Sequence, residues 1–145
     1  FLAFYAARRD QNTVLFEGIA AMLTGLTAAG YLWGIVTNKP KQFSANVVEQ
    51  LGLTADTGVL VSGDDARSPK PAPDTLYLAC QKMDIDPQNC IYVGDAERDI
   101  QAALAAGMPV LAALWGYLGA ERPVELWGAT AYVNHPDEIL RYLGI

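Results

Sequence analysis

Short apolar runs alternate along this chain with stretches about one amphipathic helix long, and that alternation constrains the fold more than any other feature. The runs lie at residues 31–37, 59–61, 90–93 and 109–114, with a weaker one at 131–133. Each is too short for a buried helix and lacks polar alternation, as expected of a strand covered on both faces. Between them, residues 17–29 place Ile19, Met22, Leu23 and Leu26 at helical spacing and stop at Gly30. Residues 41–51 stop at Gly52, 73–83 open on Pro73, 97–106 stop at Gly107, and 136–143 close the chain. Strands joined through helices must run parallel, with helices on both faces. The predicted fold class is therefore α/β, a three-layer α/β/α, Rossmann-like parallel sheet.

At 145 residues the chain has the length of one domain with its own core. Apolar residues make up 52% and charged residues 18%, which excludes a disordered chain. Ten basic against sixteen acidic side chains give a net charge of −6. With no basic stripe, nucleic acid and anionic membrane surfaces are poor partners. Every apolar stretch is cut before the ~18 residues a membrane span needs. The first ten residues lack the basic-then-apolar order of a signal peptide and begin without Met, so the chain is expected to start inside a longer product or after processing. Cys80 and Cys90 form no CxxC, and His135 is the sole histidine. The cysteines read as buried free thiols, hence a cytoplasmic location.

In an open parallel sheet, ligands gather beyond the C-terminal ends of the strands. Thr37-Asn38-Lys39 follow the first run, Ser62-Gly63-Asp64-Asp65 the second, Gly94-Asp95 the third and Trp115-Gly116-Tyr117 the fourth. A hydroxyl, an amide and free backbone N–H groups at a strand end can hold phosphate oxygens, although Thr-Asn before Lys-Pro is also an ordinary turn. Lys70 lies among Pro69, Pro71 and Pro73, which restrict where its ammonium points. Asp95 and Asp99, four apart across a strand end and a helix start, suit Mg²⁺; alternatively Asp95 is a helix cap and Asp99 complements the helix dipole.

Together these segments resemble motifs two, three and four of the haloacid dehalogenase superfamily. Val36-Thr37-Asn38-Lys39-Pro40, Lys70-Pro71-x-Pro73-Asp74 and Tyr92-Val93-Gly94-Asp95 running to Asp99 resemble its phosphoglycolate phosphatase branch. The resemblance implies a haloacid dehalogenase-like core over residues 17–145, with residues 1–16 a remnant of the exit from a helical cap. It implies a Mg²⁺-dependent phosphatase acting on a small phosphorylated metabolite through an aspartyl-phosphate. Thr37, Asn38 and Lys70 would bind substrate, Lys70 and Asp99 would serve catalysis, and Asp95 and Asp99 would serve the metal.

One part of the pattern is absent. Family members open on a strand ending in Asp-x-Asp-Gly-Thr, whose first Asp is the nucleophile, and no such motif occurs in the 145 residues. The first strand and most of the cap are therefore expected to be missing, and this chain alone to be inactive. The alternative is a non-catalytic phosphate-binding or scaffold protein. A phospho-receiver domain is disfavoured because Thr37 and Lys70 precede Asp95. A dinucleotide fold is disfavoured because no G-x-G-x-x-G follows a strand.

Overall fold

The computed structural model describes residues 7–9, 12–53, 57–116 and 122–145. In chain order the elements are β1 (Ala7–Arg9), β2 (Asn12–Val14), α1 (Ile19–Ala28), β3 (Ile35–Val36), α2 (Lys41–Gln50), β4 (Leu60–Val61), α3 (Asp74–Met83), β5 (Tyr92–Gly94), α4 (Glu97–Ala105), β6 (Val110–Ala113), β7 (Ala131–Val133) and α5 (Asp137–Tyr142). Short 3₁₀ turns occupy Pro87–Asn89, Leu114–Gly116 and Val124–Leu126. Each α-helix lies inside the stretch its periodicity predicts.

The strand at 31–37 is shorter than predicted. Gly30, at φ 84°, donates to Thr27 O while Tyr31 donates to Leu26 O. That left-handed turn caps α1 and draws Tyr31 into the helix terminus. Tyr31 and Leu32 stay exposed, and the ladder begins only at Ile35. Asp84 plays the same part after α3 at φ 54°, a conformation that Asp and Asn tolerate better than most residues.

All five core strands pair parallel, as predicted, but in two hydrogen-bonded sets. β3 pairs with β4, and β6 lies between β5 and β7. Ile35 and Thr37 donate to β4 at Val59 O and Val61 O. The polar groups of Val36 therefore point to the opposite edge, toward β5. There the Val36 carbonyl accepts from two side chains, the Lys70 ammonium at 3.3 Å and the Tyr92 hydroxyl at 3.4 Å.

Side chains alternate between two cores along each strand, the period-two signature of a sheet covered on both sides. Val36, Tyr92, Val110 and Ala112 pack with Leu76 and Ala79 of α3 and Ile100 and Ala103 of α4. Ile35, Val93, Leu111 and Ala113 pack with α1, with Val48 of α2 and with Ile139 of α5. The three-layer arrangement holds.

Differences gather at the edges. Within residues 1–16, β1 and β2 form an antiparallel ribbon with Arg8 opposite Thr13, whereas the rest of that reading (1–6, Asp10 and Gln11) lies outside the described residues. The loop expected over 115–119 begins as the 3₁₀ turn at Leu114–Gly116; Tyr117, Leu118 and Gly119 lie outside the described residues.

Candidate active site

Lys70 organises the site. It is 7% exposed, and its ammonium has three acceptors: Asp99 Oδ1 at 2.6 Å, the Tyr92 hydroxyl at 3.0 Å and the Val36 carbonyl at 3.3 Å. A lysine so enclosed is stable only as a paired, fully hydrogen-bonded ion. Asp99 is 4% exposed, and its other oxygen accepts from the backbone N–H groups of Asp95 (3.2 Å) and Ala96 (3.1 Å). Asp99 therefore ties the start of α4 to the lysine. With both oxygens engaged, its geometry suits orienting Lys70 better than ligating a metal.

The backbone of Lys70 is held as firmly as its ammonium. Asn38 Nδ2 donates to Lys70 O and Asn38 Oδ1 accepts from Lys70 N–H, each at 2.9 Å. The amide expected to face phosphate thus spans from the β3 terminus to the proline-flanked loop, which leaves the main-chain N–H and the second Nδ2 proton of Asn38 to be offered to a ligand. Gly63 lies against the main chain of Asn38, where a Cβ would collide with its carbonyl. Thr37 Oγ1 accepts from Lys39 N–H at 3.1 Å, which leaves the hydroxyl proton free to donate.

Asp64 and Asp65 have structural partners. Asp64 Oδ1 accepts from Lys41 N–H at 2.9 Å, at the start of α2, and Asp65 Oδ2 accepts from Ser62 N–H at 2.8 Å. Each carboxylate thus commits one oxygen to holding local backbone.

Asp95 differs. The residue at the α4 N-cap is Ala96, so the capping alternative for Asp95 does not hold. Its carboxylate makes no ion pair among the described residues. Burial, and next the charge of Asp99, push its pKa up to about 6. A Cβ on Gly116 would collide with Asp95 Oδ2, so the turn after β6 passes directly over this carboxylate. A desolvated carboxylate beside a second one is stabilised by added positive charge, and hard oxygens match Mg²⁺. Asp95 therefore fits as one ligand of such an ion. It would not hold one alone, since no group of three or more His, Cys, Asp or Glu able to enclose a metal occurs among the described residues.

Tyr92 is the residue that sequence reasoning missed. It is fully buried, donates toward the Val36 carbonyl and accepts from Lys70, and its own pKa is raised by burial and then by Asp99 and Asp95. A tyrosine inside an apolar strand carries no sign of its hydroxyl's partner. Only the parity it shares with Val36 across the sheet could have hinted at it.

The sequence pattern of the family described as haloacid dehalogenase-like hydrolase matches residues 1–113. A phosphoglycolate phosphatase of Xanthomonas campestris pv. campestris (strain 8004) is 44% identical over 140 residues, covering 96% of this chain and 63% of the relative. An N-acetylmuramic acid 6-phosphate phosphatase of Pseudomonas putida is 36% identical over 143 residues, 99% of this chain and 64% of that protein. Among solved structures, a HAD family hydrolase from Deinococcus radiodurans R1 with bound phosphate and sodium matches with a TM-score of 0.80 and 27% identity, over 91% of this chain and 60% of that one. The chain thus spans less than two thirds of the length of each of these relatives.

Proposed function

The chain belongs to the haloacid dehalogenase-like hydrolase family, and from that premise we propose that the complete protein is a Mg²⁺-dependent phosphomonoester hydrolase of the phosphoglycolate phosphatase type. The observation that carries this reading is the buried Lys70, gripped by Asp99 and by the Asn38 clamp beside the Thr37 hydroxyl, with Asp95 at the next strand end. Phosphoryl transfer needs mainly positioned positive charge and hydrogen-bond donors around the equatorial oxygens. Thr37 supplies a hydroxyl donor, Asn38 a backbone N–H, and Lys70 a compact charge held in place from both ends. Asp95 would hold Mg²⁺, which when bound adds charge against the phosphate oxygens.

The nucleophile is proposed to come from an Asp-x-Asp-Gly-Thr strand upstream, lying between β3 and β5. The edge of β3 supports this placement, because the Val36 carbonyl accepts only side-chain donors among the described residues. A strand N–H there would replace the longest of the three Lys70 bonds and release one ammonium proton toward the nucleophile and phosphate. The core over residues 17–145, the cap remnant over 1–16 and a cytoplasmic setting are part of the same reading. No helix among the described residues is long and apolar enough to cross a membrane.

The test is phosphate release from 2-phosphoglycolate by the 145-residue chain and by an N-terminally extended form, each with Mg²⁺ and with EDTA. The extended form should turn over only with Mg²⁺. The short chain should fall below it by several orders of magnitude, as loss of a nucleophile costs about 10⁶ in a hydrolase. Equal rates would overturn the placement of the nucleophile. No turnover of phosphoglycolate or other small phosphomonoesters by the extended form would favour a phosphate-binding or scaffold role.

A further inference from the structure

Cys80 lies on α3 and Cys90 just before β5. Their sulfurs are 3.9 Å apart, and both side chains are buried. Cys80 is enclosed by the core formed by α3, α4 and the sheet. The Cys90 side chain packs in the same core and is 6% exposed, against 3% for Cys80. We propose that Cys80 and Cys90 are a reversible disulfide site, closed by a small peroxide-class oxidant.

The chemistry has a defined order. Burial, and then the neighbouring Cys90, push the Cys80 thiol up to about 12, so Cys80 is a poor first target. Oxidation begins at Cys90, where the thiol and hydrogen peroxide give a sulfenic acid and one water. The Cys80 sulfur then attacks the Cys90 sulfur and the sulfur–oxygen bond breaks. The Cys80 proton leaves with the hydroxyl as a second water, and the two thiols have lost two electrons to the peroxide. The sulfurs must close from 3.9 Å to the ~2.05 Å of a disulfide, a movement within the range of side-chain rotation. The competing contact is weak: the Cys90 thiol donates to Asp86 O at 3.5 Å. The bond would tie the helix that follows the Lys70 loop to the strand that delivers Asp95, and it draws on neither the phosphatase reading nor its residues.

The test uses the 145-residue chain as it stands. It is treated with hydrogen peroxide under native conditions, alkylated in denaturant, and analysed by intact mass and by tryptic peptides. Cleavage after Lys82 separates the two cysteines. The expected result is a mass lower by about two hydrogens, no alkylation at either cysteine, and one peptide pair that dithiothreitol separates. Cys80→Ser should leave a dimedone-reactive Cys90, and Cys90→Ser should leave Cys80 reduced. Should either variant fold poorly, the linked peptide from the unmodified sequence still decides. Two alkylated cysteines after peroxide, or Cys90 over-oxidised without linkage, would overturn the proposal.

Discussion

The side chain of Asn38 spends both of its polar atoms on the backbone of one residue, Lys70, across 32 positions of sequence. That clamp fixes the loop from which the buried ammonium reaches Asp99. Asn38→Ala leaves a partly buried N–H and C=O without partners. It should destabilise the chain by about 1–3 kcal/mol in urea unfolding. Hydrogen exchange at the Lys70 amide should quicken more than at the amides of β6. A change in stability no larger than that of an exposed substitution would show that the clamp is idle.

Lys70 and Asp99 should behave as a unit. Removing one partner leaves a charge buried and uncompensated, so Asp99→Ala and Lys70→Met should each cost about 3–5 kcal/mol. The double variant Lys70→Met, Asp99→Ala should cost less than the sum of the two, because neither charge remains. A double-mutant cycle by denaturant unfolding measures the coupling. Additive single effects would mean that the 2.6 Å contact carries little energy.

Asp95 makes stability depend on pH in a defined direction. Its pKa is raised on folding from 3.8 to about 6, so the fold favours the protonated form. Its contribution is most favourable below the unfolded value, declines as pH rises through that window, and is constant above it. Asp95→Asn should therefore stabilise the chain at pH 8 by about 1–2 kcal/mol, after allowance for partial exposure, and should bring no such gain at pH 3. Mg²⁺ should raise the melting temperature of the parent chain at pH 8 and leave Asp95→Asn unmoved. An equal Mg²⁺ response in both would place the ion elsewhere.

Gly116 sets how closely the turn after β6 approaches that carboxylate. A methyl group must displace Asp95 Oδ2, so Gly116→Ala should cost about 1–3 kcal/mol and reduce the Mg²⁺-dependent rise in melting temperature. Thermal unfolding with and without Mg²⁺ checks both parts. An unchanged Mg²⁺ response would show that the carboxylate can move without loss.

The layers were legible because each helix writes its buried face in sequence: Ile19, Met22, Leu23 and Leu26 recur at helical spacing, and all four are buried. Thr37 and Asp95 were legible because polar residues directly after apolar runs fall at the rim of a parallel sheet, and Lys70 because the prolines around it restrict its loop. What Asn38 does there was not legible. An amide at a strand end suits a ligand or a neighbouring loop equally well, and the pairing with Lys70 is decided by how two distant loops meet. The separation of β3 from β5 was not written in the apolar runs, which give strands but not their neighbours; the family resemblance implies it, by setting an upstream strand between them. Tyr92 shows the same limit inside the core, where a hydroxyl's partner depends on the residue facing it across the sheet.

The central claim is that Thr37, Lys70 and Asp95 form the phosphate-and-cation side of a phosphoryl-transfer site within these 145 residues. Titration of the ¹⁵N-labelled chain with inorganic phosphate in the presence of Mg²⁺, followed by amide chemical shifts, tests it most directly. The account predicts saturable shifts at Thr37, Asn38, Lys70, Asp95 and Ala96, weakened by Thr37→Val and dependent on Mg²⁺ through Asp95. Saturable shifts confined to other surfaces, or none at these residues, would contradict it.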